Sequence, residues 1–148
     1  MPGEDDLDIR VTDDLDAVRE LCVRAGLDMQ DGPLKGIVVA YGAYLGERLV
    51  GCATMQSADG GRFLEYVAVD AGVRNRGIGA ALVARIEEEA RSMGMRELWA
   101  KARAPGFYRR IGYRALGDGE RGPKNLDTCQ DCPQFRKECF PVIVVKTL

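Results

Sequence analysis

The sequence predicts a single α/β domain: a mixed, mostly antiparallel sheet of six or seven strands flanked by helices. Three observations carry this reading. The 148 residues amount to one domain's worth of chain. Strand-like runs follow one another across tight turns, the mark of an antiparallel meander. A long helical pattern then separates two further strands and supplies a flanking layer.

Taken in order, residues 7 to 11 (LDIRV) alternate apolar and polar like a half-buried strand, and Thr12 or Asp13 is placed to cap a helix after it. Over 13 to 25, Leu15, Val18, Leu21 and Cys22 recur at helical spacing. Asp28, Asp31, Gly32 and Pro33 make 26 to 35 a loop or short helix. The runs 36 to 45 and 48 to 57 read as a hairpin turning at Gly46-Glu47, and Asp59-Gly60-Gly61 turns the chain into 62 to 69 (RFLEYVAV). That strand is apolar on both faces apart from Glu65, as a central strand should be.

From Gly77 to Gly94, Ile78, Leu82, Ile86, Ala90 and Met93 fall three and four apart. This places Glu87, Glu88, Glu89 and Arg91 largely outward and makes Gly94 the natural stop. A strand at 96 to 101, a short helix at 104 to 111, a strand at 112 to 116, a polar segment at 117 to 138 and a last strand from Phe140 to Lys146 complete the order.

Composition narrows the chemistry. Hydrophobic residues at 46% and charged residues at 30% are those of a soluble globular chain, not of a disordered or fibrous one. A net charge of −2 gives no field that would recruit nucleic acid or an anionic membrane, so neither is expected as a partner. Histidine is absent, which removes Ser/His/Asp and Cys/His nucleophile systems and all His-containing metal sites. No apolar run approaches the roughly 20 residues of a membrane span. The start, MPGEDDLD, is acidic where a secretory signal is basic and then apolar, so a cytoplasmic location is expected.

The densest signal is the loop from Asp70 to Ala80, between the 62 to 69 strand and the long helix. Gly77 and Gly79, one residue apart, let successive backbone N–H groups of Gly77, Ile78, Gly79 and Ala80 turn toward a common point at a helix N-terminus, where the macrodipole favours an anion. Arg74 and Arg76 can add charge-assisted bonds, and Asn75 lies between them. The plain alternative is a strand-to-helix turn with solvated arginines. A dinucleotide-binding loop is disfavoured because the first of its three glycines is missing and the position is mid-chain. A P-loop lacks its Gly-Lys-Ser/Thr.

With Arg74-x-x-Gly77-x-Gly79 opening a long helix after a strand, and Phe107-Tyr108-Arg109-Arg110-Ile111-Gly112-Tyr113 about thirty residues on, the sequence resembles the GCN5-related N-acetyltransferase (GNAT) superfamily. The resemblance is close over 36 to 116. It implies a sheet splayed between the fourth and fifth strands, acetyl-CoA as co-substrate bound by residues 74 to 80, and backbone N–H groups around Val67 to Val69 that hold the pantetheine and polarise the acetyl carbonyl. Two departures stand out: Tyr113 replaces the usual Phe, and Lys101 stands where many relatives carry Asn.

Two side chains are candidates for proton transfer. By the period of two, Glu65 shares a face with Phe63, Val67 and Val69, and such surroundings raise a carboxyl pKa toward that of a general base. The alternatives are an exposed strand Glu or a buried pair with an arginine. In the short helix, Phe107 and Ile111 should share the buried face, turning Tyr108 toward the co-substrate as an acid for the departing thiolate. The alternative is an amphipathic core tyrosine.

Cys129, Cys132 and Cys139 form Cys-x2-Cys-x6-Cys, a spacing that fits a zinc knuckle, a redox pair or plain loop thiols. Cys22, Cys52, Asp127, Asp131 or the second subunit of a homodimer could complete a metal site.

The function expected is direct acetyl transfer from acetyl-CoA to a primary amine of a small molecule or amino acid in a ternary complex. The alternative from another class is an acyl-CoA-binding regulatory or metal/redox-sensing module without turnover.

Overall fold

The computed structural model describes residues 7–27, 29, 32–58, 61–74, 76–102, 105–116 and 142–148. Its elements are β1 (Leu7–Val11), α1 (Leu15–Arg24), β2 (Ile37–Leu45), β3 (Arg48–Ala58), β4 (Gly61–Val69), α2 (Ile78–Ser92), β5 (Glu97–Ala102), α3 (Pro105–Arg110), β6 (Arg114–Ala115) and β7 (Val142–Thr147). Seven strands form one sheet in the order β1-β2-β3-β4-β5-β7-β6. Every neighbouring pair is antiparallel except β4 and β5, which run parallel across the α2 crossover. Among the described residues no helix is long and apolar enough to cross a membrane.

The hairpin between β2 and β3 turns at Gly46, whose φ of +63° is the left-handed backbone that such a turn requires. The cap of α1 falls one residue later than expected. Asp14 accepts from the Ala17 N–H at 3.1 Å, while Thr12 Oγ1 receives the Asp14 N–H. The strand expected over 112 to 116 shrinks to two residues because Gly112, at φ +97°, and Tyr113, whose N–H bonds back to the Tyr108 carbonyl, close the end of α3 instead.

Two apolar layers flank the sheet. On one face α2 lies over β2, β3 and β4, burying Leu82, Val83 and Ile86 against Val50, Met55, Leu64 and Leu98. On the other, α1 buries Val18, Leu21 and Cys22 against Leu49, Cys52 and Ala68. Glu87 and Glu89 depart from the outward reading. Glu87 is only 5% exposed, and Glu89 accepts from the Tyr41 hydroxyl at 2.6 Å. Donors on neighbouring elements satisfy these carboxylates, so the helical period does not decide their burial.

Close approach of α2 to β3 depends on Gly51. A Cβ there would lie 3.0 Å from Leu82 Cδ1 and 3.1 Å from Ile78 Cγ2, both well-buried side chains. Gly51→Val should therefore lower stability by about 1–3 kcal/mol, through overpacking, in urea unfolding followed by circular dichroism. Unchanged stability would mean that α2 can slide without cost.

Candidate functional site

The site begins where two strands part. Among the described residues β4 and β5 share one bridge, Leu64 with Ala100, after which they diverge. In the same place β4 carries a bulge: Leu64 faces Met55 and Val67 faces Ala53, so three steps on β4 match two on β3. Thr54, fully buried, stands opposite the extra residue, and its hydroxyl accepts the Tyr66 N–H at 3.0 Å.

This bulge overturns the strict period of two expected for the strand. Leu64, Val67 and Val69 pack with the α2 cluster, while Tyr66 packs with the α1 cluster. Glu65 and Tyr66 together occupy the bulge, so Glu65 does not lie on one regular face with Val67 and Val69. Lys101, one residue past the bridge on β5, lies near enough for its charge to act on the Glu65 carboxyl. The Glu65 carboxyl is pushed above its ordinary range by burial, an effect that the Lys101 charge partly offsets.

The N–H groups of Tyr66 and Asp70 point toward β3, the latter to the Val50 carbonyl at 2.8 Å. Alternation turns the backbone polar groups of Val67 and Val69 to the other edge, toward the fork. There the Val69 carbonyl accepts from Arg74 Nε at 3.2 Å.

Directly beyond lies the start of α2. Gly77, at φ +75°, is its N-cap and offers no side chain, so the first N–H groups of the helix, on Ile78, Gly79 and Ala80, have no side-chain cap. Arg74 and Arg76 are exposed beside them, whereas the Ile78 side chain is buried in the core and contributes only its backbone. Gly79 has a second reason to be glycine: a Cβ there would lie 3.2 Å from the Phe107 ring. Asn75 lies outside the described residues.

Tyr108 differs from expectation. It is buried at 6% exposure, while Phe107 and Ile111 are half-buried. The Phe107 and Tyr113 rings meet it edge-on at 5.1 and 5.5 Å between centroids. Burial, and next the Glu65 charge, push its phenol well above the usual tyrosine range. The structure thus brings Glu65 and Tyr108 within electrostatic reach of each other at the fork, beside the open edge of β4 and the start of α2.

Over residues 8–113 the chain matches the model of the acetyltransferase (GNAT) family. It belongs to that family. An N-acetyltransferase of Chlorobaculum tepidum, itself uncharacterised, is 33% identical over 75 residues, 51% of this chain and 48% of its own length. A blasticidin-S acetyltransferase of Streptomyces morookaense is 49% identical over 51 residues, 31% of this chain and 37% of its own. These matches span about half or less of either relative. A GNAT family acetyltransferase from Elizabethkingia anophelis, solved with acetyl-CoA bound, is 18% identical and shares the fold with a TM-score of 0.72 over 98% of this chain and 100% of that one. The seven-stranded GNAT sheet with its parallel fourth and fifth strands is therefore this protein's fold.

Cys129, Cys132 and Cys139 lie outside the described residues, as do Asp127 and Asp131. Among the described residues no group of three or more acidic or cysteine side chains could hold a metal. Cys22 and Cys52 instead face each other across α1 and β3, fully buried, with sulfurs 3.8 Å apart. Sequence reading missed Thr54 in its bulge role, although one hydroxyl in an otherwise apolar stretch, Val50 to Met55, was a visible signal.

The Glu65–Lys101 geometry gives a sign that can be checked. Lys101→Met removes the offsetting cation, so the Glu65 carboxyl should titrate at still higher pH in a carbon-detected NMR titration; a downward move would separate the two side chains. A folded-state value above the unfolded one means that this carboxyl contributes stability at acid pH, which is lost as pH rises through the folded value. Glu65→Gln should flatten that decline.

Proposed function

We propose that this chain is an acetyl-CoA dependent N-acetyltransferase that passes the acetyl group directly to a primary amine of a small molecule or amino acid in a ternary complex. One observation carries the reading: a raised carboxyl and a raised phenol converge on a forked, unpaired strand edge that leads into an uncapped helix N-terminus.

The residues present fit the co-substrate. The N–H groups at Ile78, Gly79 and Ala80 suit the pyrophosphate, with Arg74 and Arg76 as exposed guanidinium groups at its rim. Acetyl-CoA supplies an activated thioester. The N–H groups of Val67 and Val69, on the edge freed by the fork, hold the pantetheine and stabilise the negative charge that develops on the acetyl oxygen. Glu65 takes a proton from the acceptor's ammonium group, directly or through one water. Its raised pKa brings it nearer the basicity that such a transfer needs. Tyr108 donates its phenolic proton to the departing sulfur, and its raised pKa keeps that proton in place until the thiolate forms.

Direct transfer is favoured because neither cysteine among the described residues is placed to carry an acetyl group. Cys22 and Cys52 are buried in the α1 layer, paired with each other. The neighbouring charges of Glu65 and Lys101 support the amino-acid end of the acceptor class. An ammonium group beside the carboxylate and an acidic group beside the Lys101 ammonium would complement both.

Glu65→Gln and Tyr108→Phe should each slow turnover by about 10² to 10⁴ while titration calorimetry still shows acetyl-CoA binding. CoA release, read over amino acids, polyamines, aminoglycosides and peptides, identifies the acceptor. Unchanged turnover in both variants would remove the catalytic assignment and leave an acyl-CoA-binding module. In the wild type kcat/KM should fall as pH drops through the raised Glu65 value, and Glu65→Gln should lose that limb.

The cradle is tested separately. Gly77→Val forces a β-branched residue into the left-handed region and should weaken acetyl-CoA binding severely. Arg74→Ala should cost roughly 1.5–3 kcal/mol for a lost charge-assisted bond. Wild-type affinity in both would exclude this loop from the site.

A further inference from the structure

Behind Tyr108 lies a buried polar cluster that the reaction as proposed does not use. Tyr113 donates its hydroxyl to Glu87 Oε2 at 2.8 Å. Lys146 Nζ donates to Glu87 Oε1 at 3.1 Å and to the Ile111 carbonyl at 3.1 Å. The same ammonium lies 5.7 Å from the centroid of the Tyr113 ring. That ring meets Tyr108 edge-on, and the Tyr113 N–H bonds to the Tyr108 carbonyl at 2.9 Å. Three elements, α2, β7 and the end of α3, therefore converge through Glu87 and Lys146 on the residue that packs against Tyr108.

We propose that Glu87, Lys146 and Tyr113 are positioning residues that fix the Tyr108 phenol relative to the thiol leaving group; the proposal rests on Tyr108 being the acid. A buried carboxylate with two donors is a poor source of stability compared with apolar side chains of the same shape, because desolvation offsets much of its attraction. What it provides is direction. Its two oxygens each accept from one donor, so the Tyr113 hydroxyl and the Lys146 ammonium have one arrangement that satisfies both.

The attachment to α2 gives the brace its purpose. Within α3, Phe107 lies against Gly79. Just past its end, Tyr113 is bonded to Glu87, eight residues and about 12 Å further along the same helix. The acid is thereby referenced at two points to the helix whose N-terminus is proposed to hold the pyrophosphate. The distance from phosphate to phenol is built into one rigid element. Lys146 closes the arrangement from the sheet side, and a Cβ at Gly112 would lie 3.3 Å from its Cε, so this glycine also leaves room for the lysine stem.

A double-mutant cycle separates positioning from plain structural support. Tyr113→Phe keeps the ring against Tyr108 and loses only the bond to Glu87. In the wild-type background it should lower kcat roughly 10- to 100-fold, the scale of a small misplacement, with KM for acetyl-CoA changed by less than about twofold. In the Tyr108→Phe background, where no phenol remains to be placed, the same substitution should leave kcat unchanged, while both backgrounds lose thermal stability equally. Glu87→Gln, run through the same cycle, gives an independent reading if Tyr113→Phe folds poorly. An equal loss of kcat in both backgrounds, or no loss in either, overturns the brace. Full activity of Tyr108→Phe alone sinks the acid assignment itself and the brace with it.

Discussion

The single parallel bridge between Leu64 and Ala100 governs the geometry of the whole site. β4 is held to β3 along its length and β5 to β7 along its own, so the two halves of the sheet are each antiparallel and well paired. They meet only once among the described residues, and past that point the twist of each half carries them apart. The bulge opposite Thr54 adds to the divergence by bending β4 locally. A strand edge that would ordinarily be paired is left open inside the molecule. Because α2 follows β4 after a short turn, the open edge and a helix N-terminus lie side by side.

The electrostatics of the site follow from that opening. Glu65 is half-buried at the fork with one cation beside it, and Tyr108 is buried on the side of the α2 layer. Burial is the first cause of the shift in both, and it acts in the same direction on both acids. For the proposed reaction the carboxyl is thereby a better base, and the phenol a donor that stays protonated until the thiolate forms. Neither shift requires a specialised hydrogen bond. The price of both is a less stable charged form, and Lys101 limits it for Glu65.

Two polar residues that are buried among the described residues, Thr54 and Glu87, are both directed. Thr54 receives a backbone N–H that the bulge removes from the ladder, and Glu87 joins Tyr113 and Lys146 across three elements. Each is satisfied, as buried polar groups must be if the fold is to tolerate them. Each also fixes a part of the proposed machinery: the first the line of β4, the second the seat of α3.

The sequence by itself determined the order of elements, the hairpins, the helix from Ile78 and the glycine-led loop before it, because these depend on local periodicity and on backbone conformations that few residues adopt. It also determined which residue types were present for acid and base chemistry, since the absence of histidine leaves few. Tertiary structure alone decided which way Glu65 stands, since one extra residue in the bulge breaks the period of two and nothing in RFLEYVAV marks where the ladder slips. It alone buried Tyr108 in place of Phe107 and Ile111, because a six-residue helix has too few turns for its own pattern to choose a face against the layers that enclose it. It alone brought Glu87, Tyr113 and Lys146 together, because residues 26 and 59 positions apart meet only after the sheet has formed.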